Sequence, residues 1–246
     1  MRVDANERRA LPHVFVEALE PATVPLRPAD LRHLFRSRRA RPGDLISLAD
    51  GRGRSGVGRL LPERDGAVAV DEVSDEPRPS PMVSVAMAPP KGDRLAWAVQ
   101  KLTEVGVDEV VVLRTERSIR EWNEAREDRA LERLRTIARE AAMQSHRSFL
   151  MDVTGIAPFG GAVAGRGDPT VLFDGSGFTR LSDALPAAVS SVRVLIGPEG
   201  GFTDRERATA VGVGGAVVSL GASILRTETA AVVGAALVLA RYGRLG

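Results

Sequence analysis

From residue 82 onward, short apolar segments alternate with longer amphipathic ones, and this alternation limits the possible folds more than any other feature. Five apolar segments have the length of buried strands: 83–87, 109–113, 170–173, 194–196 and 216–220. The remaining segments predict helices that begin at 93 and 203 or span 122–145, 181–190 and 230–242. Strands and helices that alternate in this way form a parallel sheet with helices on both faces. We therefore predict an α/β domain, with the aperiodic stretch 155–167 as an exposed connection.

Two strand–loop–helix units near the end of the chain carry the clearest functional signal. The first contains the loop Gly197-Pro-Glu-Gly-Gly201, and the spacing of Thr203 and Glu206 predicts a capping box at the start of the following helix. The second contains the loop 221–229. Glycines permit positive φ and leave backbone N–H groups open to a ligand at the carboxyl end of a sheet. Either loop alone could be an ordinary tight turn, but together they can face one pocket.

The last predicted helix, 230–242, is apolar nearly all round, so we expect it to pack in the core and against a second subunit. Arg226 precedes this helix, although the N-terminal end of a helix dipole prefers negative charge. A residue that breaks a local rule is more often functional. The alternative is that Arg226 and Glu228 are solvated surface charges.

The first 77 residues have a different pattern, typical of a small β-rich domain. Short strands are predicted at 14–16, 45–48, 55–61 and 67–70, and a helix at 28–36. Strands at this spacing favour a small barrel. The proline-rich stretch 76–81 is typical of a stiff linker. We therefore predict two domains, 1–77 and 78–246.

Charge and composition limit the functional classes. The net charge is only +2, but eight arginines lie between residues 27 and 54 against three aspartates. Arginine suits bidentate phosphate contacts, although such a cluster can also be a solvated face. The absence of cysteine excludes disulfides and thiolate metal sites and fits a cytoplasmic protein. Because the three histidines are widely spaced, no metal site is expected. No apolar segment approaches the roughly 20 residues that a membrane span needs.

Several linked motifs resemble one family over nearly the whole chain. They are Ile196-Gly-Pro-Glu-Gly-Gly-Phe202, the segment from Leu220 to Ala230 with Leu225-Arg-Thr-Glu-Thr-Ala230, Lys91-Gly-Asp-Arg94 with Trp97, and Ile137-Ala-Arg-Glu-Ala-Ala142 with Arg147. Together they resemble the RsmE family of ribosomal small-subunit RNA uridine-N3 methyltransferases, within the SPOUT superfamily. The resemblance implies an N-terminal PUA-like RNA-binding β-barrel, a SPOUT-type parallel sheet with a C-terminal trefoil knot, and a homodimer. It also implies methylation of uridine N3 in 16S ribosomal RNA with S-adenosyl-L-methionine as cofactor.

The resemblance and the loops together nominate the site residues. Those expected to bind the cofactor are Leu172, Phe173, Gly175, Ile196, Gly197, Pro198, Glu199, Gly200, Gly201, Leu220, Gly221, Ser223, Ile224, Leu225, Arg226, Thr229 and Ala230. Those expected to contact RNA are Arg32, His33, Arg36, Arg38, Arg39, Lys91, Arg94, Lys101, Arg117, Arg139 and Arg147.

Three candidates have catalytic roles. Arg226 is expected to stabilise the negative charge that develops on the uracil as N3 loses its proton. Glu199 or Glu228 could accept that proton, or could instead hold Arg226 in place.

The chain departs from the family pattern at three positions. Ser223 and His13 stand where arginine is usual, and Met143 stands where glutamate is usual. Loss of these charges could weaken contacts with RNA or cofactor. Two other functions therefore remain open: a non-catalytic RNA-binding or ribosome assembly factor, and a knotted methyltransferase with another RNA target.

Overall fold

The computed structural model describes residues 4–20, 22–118, 124–163 and 168–245. The chain divides into two compact units, Met1–Arg78 with Ala142–Leu150 and Pro79–Ala141 with Met151–Gly246. The segment 142–150, which the sequence assigned to the second domain, packs in the first unit. Its residues Ala142 and Leu150 pack with Phe15 and Ala49 there. The two domains with limits at 77 and 78 remain a prediction, since compact units need not be independently folding domains.

The first unit is built on a five-stranded sheet in the order β1–β3–β4–β5–β2. Its strands are β1 (His13–Phe15), β2 (Thr23–Pro25), β3 (Leu45–Ala49), β4 (Arg54–Leu60) and β5 (Ala67–Asp75). β1 pairs with β3 in parallel, and the other neighbours are antiparallel. Two helices, α1 (Ala5–Ala10) and α2 (Pro28–Arg32), accompany the sheet. The helix predicted at 28–36 ends as a π-helical turn, His33–Ser37, and the sequence patterns missed α1 and β2.

Segment 142–150 completes this unit by filling space that a glycine leaves open. Gly53 has φ +108°, and a Cβ atom at this position would lie 2.4 Å from the ring of Phe149. Phe149 forms an isolated bridge with Gly51 and Arg52, and Leu150 donates a backbone hydrogen bond to the Gly51 carbonyl. The turn between β3 and β4 therefore requires glycine because an aromatic ring from elsewhere in the chain packs against it.

The second unit contains six parallel strands in the order β11–β9–β10–β6–β7–β8. They are β6 (Met82–Met87), β7 (Glu109–Arg114), β8 (Asp152–Pro158), β9 (Thr170–Phe173), β10 (Ser191–Ile196) and β11 (Ala216–Val218). The helices are α3 (Arg94–Val105), α4 (Glu124–Gln144), α5 (Phe159–Val163), α6 (Leu181–Ala184), α7 (Asp204–Gly212) and α8 (Thr227–Arg241). Successive strand residues such as Val85 and Ala86 enter two different apolar clusters. The predicted α/β architecture with a parallel sheet is therefore confirmed.

Several local predictions in this unit are wrong. The expected connection 155–167 contains the edge strand β8 and helix α5, with 164–167 outside the described residues. Most of β8 is half-buried, so its sequence lacks the alternation of a strand with one buried face. The helix expected at 181–190 ends at Ala184. By contrast, the helix expected at 122–145 is confirmed over Glu124–Gln144, and residues 122 and 123 lie outside the described residues.

The last helix also differs from its prediction. α8 begins at Thr227 rather than Ala230, and it is not buried all round, because Val233 and Leu237 are exposed by 37% and 46%. The chain after α8 is anchored by Arg244, whose guanidinium forms a buried ion pair with Asp108. Within the described ranges, no helix combines the length and apolar character that crossing a membrane requires.

Candidate functional site

The loops that follow three neighbouring strands enclose a cavity of about 490 Å³ at the carboxyl edge of the parallel sheet. They follow β9, β10 and β11, and we call the space between them the loop cavity. Its lining comprises residues 173–175, 196–199, 201–202, 219–227 and 230. The two glycine-rich loops therefore face one pocket, as their sequence predicts. The capping box that starts α7 is present as well, with Thr203 and Glu206 hydrogen-bonded to each other's backbone N–H groups.

Glycines keep this cavity open. A Cβ atom at Gly175 or Gly221 would meet no atom within 4 Å, so any side chain there would project into free space beside the loops. Gly201 has φ +68° and Gly221 has φ +110°, a region that other residues rarely adopt. Apolar side chains such as Phe173 and Leu225 form much of the remaining wall.

Most of the nominated cofactor residues line the loop cavity, but three do not. Leu172 is fully buried in the apolar cluster on one face of the sheet. Gly200 is not part of the cavity lining, and its carbonyl accepts a hydrogen bond of 2.7 Å from Arg117 Nη1. Thr229 lines a second cavity beside α8.

Asp174 lines the loop cavity and was missed by the sequence patterns. Its Oδ1 accepts hydrogen bonds from Ser176 N at 2.9 Å and Ser176 Oγ at 2.6 Å, while Oδ2 pairs with Arg207 at 3.4 Å. Burial opposes ionisation, but these hydrogen bonds, the Arg207 charge and a backbone N–H from Phe202 outweigh it and lower the pKa of Asp174. Its position directly after a buried strand was the signal that could have identified it.

Glu199 anchors the first glycine-rich loop. Its Oε1 accepts a hydrogen bond of 3.0 Å from the backbone N–H of Lys91. Burial raises the pKa of Glu199, but this hydrogen bond, its own backbone N–H and the charges of Lys91 and Arg94 lower it below the ordinary value. The group is therefore ionised at neutral pH and is a weak base.

A second cavity, of about 680 Å³, adjoins the loop cavity and shares Ile224, Leu225 and Arg226 with it. We call it the Trp97 cavity, after the tryptophan that is 44% exposed in its wall. Its other lining residues are Asp93, Arg94, Glu228 and Thr229. Arg226 occupies the N-cap position of α8 but makes no capping hydrogen bond with its side chain. It lies exposed between the two cavities.

Glu228 contacts an arginine other than Arg226. Its Oε1 lies 3.5 Å from Arg94 Nε, and the Glu228 side chain is only 9% exposed. Oε2 is buried and accepts no hydrogen bond from the residues that the structure describes. An unsatisfied buried acceptor costs about 1–3 kcal/mol, only partly offset by the favourable dipole at the start of α8. A buried carboxylate with one unsatisfied oxygen is more often retained for function than for stability.

Comparison with known proteins identifies the family. Residues 77–239 match the model of the RNA methyltransferase domain. A ribosomal RNA small subunit methyltransferase E from Mycobacterium bovis is 32% identical over 82% of this chain and 80% of its own length. The protein of the same name from Synechocystis sp. is 33% identical over 90% of this chain and 74% of its own.

The chain belongs to the ribosomal RNA small subunit methyltransferase E family. A solved family member from Neisseria gonorrhoeae, bound to S-adenosyl methionine, is 26% identical and superposes with a TM-score of 0.81. That comparison covers 94% of this chain and 97% of the other.

Two of the three positions that depart from the family pattern have structural roles. His13 is buried, with Nδ1 at 2.9 Å from Ser47 Oγ and Nε2 at 3.2 Å from the Arg147 carbonyl oxygen. It thus ties β1 to segment 142–150. Met143 packs against the apolar core of the first unit. Ser223 lies exposed in the lining of the loop cavity.

The nominated RNA contacts of this family member fall in both units. In the first, Arg32, His33, Arg36, Arg38 and Arg39 are exposed on α2 and the turn after it, whereas Arg147 is half-buried. In the second, Lys91, Arg94 and Arg117 are exposed, whereas Arg139 is half-buried and Lys101 pairs with Glu104 at 2.8 Å. Lys101 and Arg94 both already pair with a carboxylate, so their charges are partly neutralised.

Proposed function

We propose that this protein transfers a methyl group from S-adenosyl-L-methionine to N3 of a uridine in 16S ribosomal RNA of the small subunit. The observation that carries the proposal is the loop cavity, formed by the family's motif loops in a chain similar to a structure solved with this cofactor. The uridine N3 position rests on the family resemblance.

The residues of the loop cavity fit this cofactor. Its volume of about 490 Å³ falls in the range of ligand pockets. Phe173, Ile196 and Leu225 offer apolar surface to an adenine ring, and the glycines leave backbone groups accessible. Asp174 and Glu199 are both held ionised by lowered pKa values. Two carboxylates suit a ligand that carries a sulfonium and an ammonium cation.

The side chains around the cavity then have distinct roles. When bound, the cofactor supplies an electrophilic methyl group. Loss of the N3 proton places negative charge on the uracil, and Arg226 is positioned between the cavities to stabilise it. Glu199 holds the first loop through Lys91 rather than accepting a proton. Glu228 keeps two proposed roles, proton acceptor and support for an arginine, and its contact with Arg94 favours the second.

The finer architecture is part of the proposal. The family resemblance implies that the five-stranded sheet is a PUA-like RNA-binding barrel and that the C-terminal segment forms a trefoil knot. A homodimer would cover the apolar side chains of Val233 and Leu237, which α8 leaves exposed. We place the protein in the cytoplasm, where ribosomal RNA is modified.

The test is a methylation assay on small ribosomal subunits and on free 16S RNA, both purified from cells that lack this gene. Mass spectrometry of the nucleosides should show 3-methyluridine only when protein and S-adenosyl-L-methionine are both present. Methylation of a ribose or of another base would contradict the uridine N3 assignment and favour a methyltransferase with another RNA target. RNA binding without any methyl transfer would favour the assembly-factor alternative.

A further inference from the structure

The Trp97 cavity is not accounted for by the cofactor. It shares residues 224–226 with the loop cavity, so a ligand there would adjoin the proposed cofactor site. Its volume of about 680 Å³ falls in the range of small-molecule pockets. The exposed indole of Trp97 offers a flat ring, and nucleic-acid bases stack on such rings.

Two arginines line this cavity, and their chemistry selects among bases. Guanidinium groups donate hydrogen bonds and cannot accept them. In uracil, N3 lies between two carbonyl oxygens, both acceptors, and these share the negative charge when N3 loses its proton. Arg94 and Arg226 therefore match the two oxygens that flank the methylated atom.

We propose that the Trp97 cavity binds the target base, with Trp97 stacked on the ring and Arg94 and Arg226 donating hydrogen bonds to the two carbonyl oxygens of uracil. This inference rests on the proposed function and adds to it the site and the basis of base selection. Glu228 is the positioning residue, because its carboxylate contacts Arg94 Nε at 3.5 Å and leaves the terminal guanidinium nitrogens for the base.

The arrangement discriminates against cytosine. Cytosine carries an amino group in place of the O4 carbonyl and keeps the O2 carbonyl. In the proposed arrangement Arg94 faces O4 and Arg226 faces O2, so with cytosine Arg94 would face a hydrogen-bond donor instead of an acceptor. Sites built to hydrogen-bond one pattern reject an analogue that leaves their polar groups unpaired. The preference for uracil should therefore depend on Arg94 and, through it, on Glu228.

The experiment measures nucleotide binding without methyl transfer. The chain has two tryptophans, so a Trp122→Phe variant leaves Trp97 as the only one and its fluorescence reports the cavity. With S-adenosylhomocysteine present, uridine 5′-monophosphate should quench this fluorescence with at least about tenfold higher affinity than cytidine 5′-monophosphate, as expected for one hydrogen bond to a charged group.

Two further variants in the same background test the assignments. Arg94→Ala should abolish the preference for uridine. Glu228→Gln should reduce it, because the neutral amide holds Arg94 less firmly, and Asp183→Asn on the exposed surface should leave it unchanged. Calorimetry with S-adenosylhomocysteine checks that each variant retains the folded loop cavity.

Three results would overturn the inference: equal quenching by both nucleotides, quenching by neither, or an undiminished preference in Arg94→Ala. If Trp97 fluorescence responds to protein concentration but not to nucleotide, the cavity is an interface between copies of the chain and the inference is also wrong. A protein that prefers uridine but methylates no small subunit contradicts the proposed reaction instead. The two failures are therefore distinguishable.

Discussion

Removing Arg244 alone should strongly destabilise the second unit. Its Nη1 donates to Asp108 Oδ2 and to the Pro81 carbonyl, both at 2.6 Å, and its Nη2 donates to the Gly106 carbonyl at 2.8 Å. The two charged side chains are only 9% and 7% exposed. Arg244→Met keeps much of the side-chain volume but leaves Asp108 buried, with a hydrogen bond of 2.7 Å from the Val83 N–H.

Removing one partner of a buried ion pair costs about 3–5 kcal/mol, because the remaining charge stays buried without compensation. For a chain of this size the melting temperature should fall by about 6–20 °C. Adding Asp108→Asn should recover part of the loss, since the amide oxygen can still accept from Val83 while the buried charge is gone. This recovery separates the cost of an unpaired charge from a general loss of packing.

The assay is urea unfolding at neutral pH, followed by tryptophan fluorescence, because Trp97 lies on α3 of the second unit. Arg241→Met is the matched control, since Arg241 is exposed on the last turn of α8. A destabilisation by Arg244→Met below about 1 kcal/mol, the usual value for an exposed pair, would refute the reasoning. So would a double variant that is no more stable than Arg244→Met alone.

Three further predictions concern the site and the first unit. Gly175→Val should lower affinity for S-adenosyl-L-methionine in calorimetry, because Gly175 lines the loop cavity and the added bulk brings no backbone strain. Gly212→Val at the end of α7, away from the cavity lining, should not lower it. Arg226→Ala should slow single-turnover methyl transfer about a hundredfold, or roughly 3 kcal/mol, even at saturating cofactor and RNA, and a near-normal rate would exclude a catalytic role. Burial, followed by the charges of Arg38 and Arg9, lowers the pKa of His146 below 6.5 in the folded state. The neutral imidazole therefore contributes stability that is fully present above pH 6.5 and is lost as pH falls through the folded-state pKa. His146→Asn, which tolerates the positive φ, should flatten the dependence of unfolding free energy on pH below 6.5, and an unchanged curve would contradict the assignment.

The sequence predicted the elements whose signals are local. Buried strands such as 83–87 were recognisable from apolar runs, and the capping box at Thr203 from two residues at fixed spacing. Glycine-rich turns after neighbouring strands were enough to expect one cavity. The edge strand β8 was missed because its residues are mostly half-buried, so no alternation marks it.

Other features depend on contacts between distant parts of the chain and could not be predicted from patterns. The pairing of Glu228 with Arg94 joins the starts of two helices that are far apart in sequence. Whether Gly200 or Gly201 faces the cavity depends on the path of one loop. His13 could not be recognised as structural, because its partners Ser47 and Arg147 come from different segments.

The long helix α4 has a consequence for the order of folding during synthesis. Its last residues, 142–144, and the segment that follows to 150 belong to the first unit, which contains Phe149 as the ring packed against Gly53. The N-terminal sheet therefore cannot complete its core when residue 78 leaves the ribosome. It must wait until residue 150 emerges, after β6, β7 and all of α4 have been made. Whereas domains usually fold one after another from the N-terminus, the first unit here becomes complete only partway through synthesis of the second.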